Sequence, residues 1–82
     1  MIRVAIVGCG VIGHKRARAL SGATLVACVD VVHSNAVSVA AHSESVNASP
    51  NLGSILDNDN VNIVIIATPM DLTNITFENI IV

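Results

Sequence analysis

Three glycines and one aspartate carry most of the chemistry legible in this 82-residue sequence. Gly8-Cys9-Gly10-Val11-Ile12-Gly13 has the spacing G-x-G-x-x-G, and each glycine meets a separate physical need. Gly8 permits a tight turn, and Gly10, without a Cβ, lets a diphosphate come close to the backbone. Gly13 lets a following helix lie close against a strand. The free N–H groups at the start of such a helix, together with its dipole, favour an anion. Asp30 follows Gly8 by 22 residues and Gly13 by 17. A carboxylate at that distance is placed to accept hydrogen bonds from ribose hydroxyls.

Other polar residues offer less. Lys15, the only lysine, reads as a solvated helix position. His14 is within reach of a bound pyrophosphate's edge, but reads more simply as a helix-surface histidine. His33 and His42 are nine apart, and no pair of His or Cys has zinc-site spacing. Cys9 reads as a small buried filler. No Ser-His-Asp or Cys-His arrangement can be argued from spacing, so no catalytic residue and no metal site are expected. Asp57-Asn58-Asp59-Asn60 lacks the later acidic ligand of a calcium loop and reads as a solvated turn.

The elements that must position these residues follow from hydrophobic patterning. Ile2–Val7 reads as a buried strand leading into the glycine turn, and residues 11–21 as a helix. Gly10, Gly13, Ala17 and Leu20 recur at helical spacing, giving a face small enough to press on a sheet. Thr24–Val29 reads as a second strand ending at Asp30. Ser34 is expected to cap a helix running to about His42. Val46–Ala48 suits a short third strand. Ser49-Pro50 opens a short helix carrying Leu52, Ile55 and Leu56. Val61–Ala67 is the strongest strand, stopped by Thr68-Pro69. Asp71 or Thr73 then caps a last helix that is still running at Val82. The order β-α-β-α-β-α-β-α implies a parallel sheet with right-handed crossovers. With the glycine turn in this context, the expected fold is α/β: the first half of a Rossmann-type doubly wound sheet, strand order 3-2-1-4. Thr68-Pro69 then lies at the same sheet edge as the glycine turn.

This frame sharpens the ligand. A carboxylate at Asp30 repels a 2′-phosphate, and Val31, Val32 and His33 bring no arginine beside it. NAD is therefore expected in preference to NADP, held through its ADP half.

Composition excludes several alternatives. Hydrophobic residues make up 52% and charged residues 12%, with a net charge of −2. Lys15, Arg16 and Arg18 cluster, but Arg3 is the only other cation, which argues against nucleic acid. No apolar run reaches the roughly 20 residues of a membrane span, and none resembles a secretory leader. Cys9 and Cys28 suit a reduced thiol pair, and hence a cytoplasmic setting. Asn47-Ala48-Ser49 and Asn74-Ile75-Thr76 match the glycosylation pattern by chance on that reading.

The segments Met1–Gly13, Ala23–Asp30 and Asn60–Pro69 together resemble the amino-terminal part of the Gfo/Idh/MocA oxidoreductases. The resemblance runs in register along nearly the whole chain. The strand ending in Ala67-Thr68-Pro69 is a more selective feature than the glycine turn. The resemblance implies an NAD(P)-dependent dehydrogenase acting on a sugar or cyclitol hydroxyl. It assigns cofactor roles to Gly8, Gly10, Val11, Ile12, Gly13, Asp30, Ala67, Thr68 and Pro69. Val31, next to Asp30, joins the candidate set. Two positions depart from the family pattern: Met70 stands where Asn is frequent, and Thr73 where His is frequent.

The family's catalytic lysine and histidine, and its substrate domain, have no counterparts in residues 1–82. The expectation is thus a partial dinucleotide-binding domain that binds the cofactor without turnover. A stand-alone nucleotide-binding or regulatory module, a gene remnant, and another Rossmann dehydrogenase or reductase are the alternatives. The uncharged strand Val61–Ala67 is expected to form the sheet edge, through which two copies could pair.

Overall fold

A computed structural model describes residues 2–43, 46–51, 53, 60–67 and 80–81. Five parallel strands form one sheet: β1 (Ile2–Val7), β2 (Ala23–Val29), β3 (Asn47–Ser49), β4 (Ile63–Ile66) and β5 (Ile80–Ile81), in the spatial order β3-β2-β1-β4-β5. Two helices are described, α1 (Val11–Arg18) and α2 (His33–Ala40). The first four strands take the expected order 3-2-1-4, and the α/β Rossmann-type arrangement stands.

The apolar strands are buried on both faces, as a parallel sheet requires. On one face Val4, Ile6, Leu25, Cys28 and Ile65 pack with Ala36 and Val39 of α2, and with Cys9 of the glycine turn. On the other, Ala5, Val7, Ala27, Val29, Val64 and Ile66 pack with Val61. The period-2 alternation of β1 divides its residues between the two cores. In β2 the alternation breaks. Val4 pairs with Leu25 but Ala5 with Ala27, so Val26 is the extra residue. This irregularity brings Cys28 to the same face as Leu25 and seats it in the core that contains Cys9.

Polar groups set the near end of β4. Asn62 accepts the Arg3 N–H on its Oδ1 at 2.8 Å, and donates its own backbone N–H to the Arg3 carbonyl at 2.8 Å. Asn62 thereby joins β1 through its side chain as well as its backbone, and the strand proper begins one residue later.

Several expectations are corrected. The fourth strand is Ile63–Ile66 rather than 61–67. The third is Asn47–Ser49, one residue beyond the expected position. Helix α1 ends at Arg18 instead of 21, and Gly22 then takes φ +74° in the turn into β2. Ser34 does not cap α2. The cap position is Val32, which has no side-chain cap; Ser34 lies inside the first turn. Ile80 and Ile81 are not helical: they pair with Val64 and Ile65 as β5, so β4 is not the sheet edge. The dimerisation expected through β4 loses its premise. Of the helix expected after Ser49-Pro50, Gly53 is described and is helical, while Leu52, Ile55 and Leu56 lie outside the described residues, as do the helix expected after Asp71 or Thr73 (up to residue 79), Thr68 and Pro69.

Candidate functional site

The site is built where β1 and β2 end. Gly8 leaves β1 with φ +95°, a conformation that side chains rarely adopt. Its N–H donates to the Val29 carbonyl at 2.8 Å, which fixes the turn to the end of β2. Cys9 is buried beneath the turn. Gly10 is exposed and caps α1 in an extended conformation, and a Cβ built on it meets nothing within 4 Å. Gly13 is the opposite case. A Cβ there would overlap the Gly8 carbonyl oxygen and come within 3.1 Å of the Gly8 carbonyl carbon. Gly13 is thus the close-packing glycine and Gly10 the open one. Of the expected small face, Gly13, Ala17 and Leu20 do turn to the core, while Gly10 precedes the helix and faces open space.

The first intrahelical bond of α1 runs from the His14 N–H to the Gly10 carbonyl at 3.0 Å. The N–H groups of Val11, Ile12 and Gly13 precede it and have no acceptor within the helix. No acidic residue occupies this first turn, while Lys15, Arg16 and Arg18 lie in the last, where they suit the helix dipole.

Asp30 is drawn into the same place. Its Oδ2 accepts the Cys9 N–H at 2.8 Å, and its Oδ1 accepts the Val32 N–H at 2.8 Å. Its own N–H donates to the Ser49 carbonyl at 3.2 Å, tying it to the end of β3. The carboxylate therefore bridges the glycine turn and Val32, the residue that precedes α2. Apolar side chains stand open around it: Val31 is 80% exposed and Val11 73% exposed, with Ile12 and Val32 about half exposed. Ala67 continues from β4 and donates its N–H to the Val7 carbonyl at 2.8 Å, beside the start of the turn. The expected residues Gly8, Gly10, Gly13, Asp30 and Ala67 are thus brought together at the carboxyl ends of the strands.

His14 does not turn to this edge. Its ring bonds His42 and Ser38 instead, a cluster that sequence reading missed. The residues are 28 and 24 positions apart, and no local pattern reports such a contact. Cys9 and Cys28 are both free and buried. The Cys9 thiol donates to the Val29 carbonyl. The Cys28 thiol is pushed up from its ordinary range by its hydrogen bond with Cys9 and by burial.

A parallel sheet with a glycine turn and an acidic residue at the ends of its first two strands defines a nucleotide-binding protein of the Rossmann class. The chain matches the model of an oxidoreductase family with an NAD-binding Rossmann fold, Gfo/Idh/MocA, over residues 2–80, and it belongs to that family.

Solved structures agree on the fold. A myo-inositol dehydrogenase from Lactobacillus casei, in complex with NAD(H) and myo-inositol, shares 23% identity at a TM-score of 0.75, over 84% of this chain and 22% of its own. The WlbA dehydrogenase from Bordetella pertussis, in complex with NADH and UDP-GlcNAcA, shares 27% at 0.73, over 87% of this chain and 23% of its own. A 3-ketoreductase from Actinomadura kijaniata, in complex with TDP-benzene and NADP, shares 20% at 0.69, over 87% and 23%. The chain therefore spans less than a quarter of the length of these structures. Comparison with the curated proteins finds no match.

Proposed function

We propose that this chain holds the ADP half of NAD, with the pyrophosphate over Gly10 and the first turn of α1 and the adenosine ribose on Asp30. The observation that carries the reading is the 2.8 Å bond from the Cys9 N–H to Asp30 Oδ2, which fixes a carboxylate beside an open glycine. Each oxygen of Asp30 accepts one backbone N–H and keeps further acceptor capacity for a ribose hydroxyl. Val11, Ile12 and Val31 supply exposed apolar surface for the rest of the nucleotide, and Ala67, Thr68 and Pro69 complete the set. NAD is preferred to NADP because a 2′-phosphate would meet the Asp30 carboxylate with no arginine among Val31, Val32 and His33 to balance it. Relatives crystallised with NADH and with NADP support the nicotinamide dinucleotide as the ligand class.

In the family setting, NAD supplies a hydride acceptor for oxidation of a sugar or cyclitol hydroxyl. The residues named here bind and orient the nucleotide, and none of them is assigned a role in proton transfer. Affinity of residues 1–82 is expected in the range of about 10 µM to 1 mM, because much of the ligand stays in solvent. Titration calorimetry with NADH, ADP-ribose and NADPH tests the reading. NADH and ADP-ribose should bind alike, and NADPH at least about tenfold more weakly. Equal binding of NADPH would remove Asp30 from the ribose. Absence of ADP-ribose binding would overturn the assignment as a whole.

A further inference from the structure

We propose that His14 and His42 form a two-imidazole site for a late divalent transition metal, with Cu²⁺, Ni²⁺ and Zn²⁺ as the matching class. His14 lies in α1 and His42 just beyond α2, so a metal there would pin the two helices together. His14 Nδ1 and His42 Nε2 are 2.8 Å apart, with ring centroids at 5.0 Å and planes at 76°.

In the metal-free chain one of the two facing nitrogens carries the proton of this hydrogen bond, and a metal would take that proton's place between them. Ser38 Oγ lies 3.3 Å from His14 Nε2 and can accept its N–H, which leaves Nδ1 unprotonated. A histidine ligand held through its other ring nitrogen is the arrangement that metal sites favour. His42 Nε2–H is then the donor to His14 Nδ1, and a shift of that proton to His42 Nδ1 would free Nε2 for the metal. A tetrahedral ion about 2.0–2.1 Å from each nitrogen would set them roughly 3.3 Å apart. The required opening is about half an ångström, within reach of side chains at the surface.

The donor set decides the metal class. No third His, Cys, Asp or Glu joins the pair among the described residues. Hard cations that need oxygen ligands are therefore disfavoured, and imidazole selects copper, nickel and zinc, with copper the tightest. His42 also lines a cleft of about 220 Å³ with Ala17, Leu20, Thr24 and Ser43, which gives room for the waters that complete the coordination shell. The site is separate from the glycine turn and does not depend on the dinucleotide reading.

The test is calorimetric titration of the purified chain with CuCl₂, NiCl₂ and ZnCl₂, with electron paramagnetic resonance of the Cu²⁺ form. One equivalent should bind, in the affinity order Cu²⁺ above Ni²⁺ and Zn²⁺. The Cu²⁺ spectrum should carry coupling to two imidazole nitrogens. His14→Ala and His42→Ala should each weaken Cu²⁺ at least tenfold, while His33→Ala should change it less than twofold. The spectrum is read on the unaltered chain, so a variant that fails to fold does not remove the test. Coupling to fewer than two imidazole nitrogens, or an equal loss in His33→Ala, would overturn the proposal.

Discussion

The Asp30 carboxylate and the backbone nitrogen of Cys9 lie 2.8 Å apart, so the residue that ends β2 is bonded directly to the turn that ends β1. One side chain thereby holds together two loops separated by 21 residues. It also accepts the Val32 N–H ahead of α2. Asp30 is a structural clamp as well as the proposed ribose acceptor, and replacing it should disturb both.

Asp30→Ala should lower stability by about 1–2 kcal/mol, through loss of the acceptor for two backbone N–H groups. For a chain of this size that is roughly 4–8 °C in Tm for each kcal/mol. ADP-ribose affinity should fall at least about tenfold. Thermal unfolding followed by circular dichroism, with calorimetry at a temperature where the variant is folded, separates the two effects. Unchanged stability would show that the clamp contributes nothing.

Gly10 and Gly13 should respond in opposite ways. Gly10→Val adds its side chain to open space, so the chain should fold as before and lose dinucleotide binding. Gly13→Val drives its side chain into the Gly8 carbonyl, and should cost about 1–3 kcal/mol or more by overpacking. Unfolding curves paired with NADH titrations would distinguish them. A folded Gly10→Val that binds NADH normally would place the pyrophosphate elsewhere.

The two thiols should be inert in the native chain. Cys9 and Cys28 are 1% and 0% exposed, and the Cys28 thiol is held protonated by its bond to Cys9 and by burial. A thiol reagent at pH 8 should label neither until denaturant is added, and both afterwards. Rapid labelling of Cys28 under native conditions would contradict the placement of this core.

Asn62→Ala should destabilise the β1–β4 junction by about 1 kcal/mol, because the Arg3 N–H loses its acceptor on Asn62. Hydrogen exchange at Arg3 should quicken, while exchange at Val29 on the far side of β1 should not.

Much of the fold was legible because the relevant signals are local. The run Ile2–Val7 and the three glycines after it could hardly be read otherwise, and β1 has the expected bounds. The errors arose where a long-range partner overrode a local pattern. Ser34 has the chemistry of a cap, but Asp30 holds Val32 just ahead of α2 and the helix starts at His33, which leaves Ser34 inside the first turn. Ile80-Ile81 is a short apolar run, which periodicity cannot assign to helix or strand. Its pairing with Val64 and Ile65 makes it a strand. The site divides the same way. The roles of Gly8 and Gly13 follow from spacing alone. The Cys9–Asp30 bond and the His14–His42 pair depend on which loops the sheet order sets side by side.

One edge of the sheet, from Gly8 to Gly13 and at Asp30, is where the nucleotide is proposed to rest. Titration of ¹⁵N-labelled protein with ADP-ribose, followed by amide chemical shifts, tests it most directly. Saturable shifts are expected at Gly10, Val11, Ile12, Gly13, Asp30 and Val31, with Ala17, Leu20 and Ser43 unmoved. Shifts centred on the cleft formed by Ala17, Leu20 and Ser43, or no saturable shift at millimolar ligand, would contradict it.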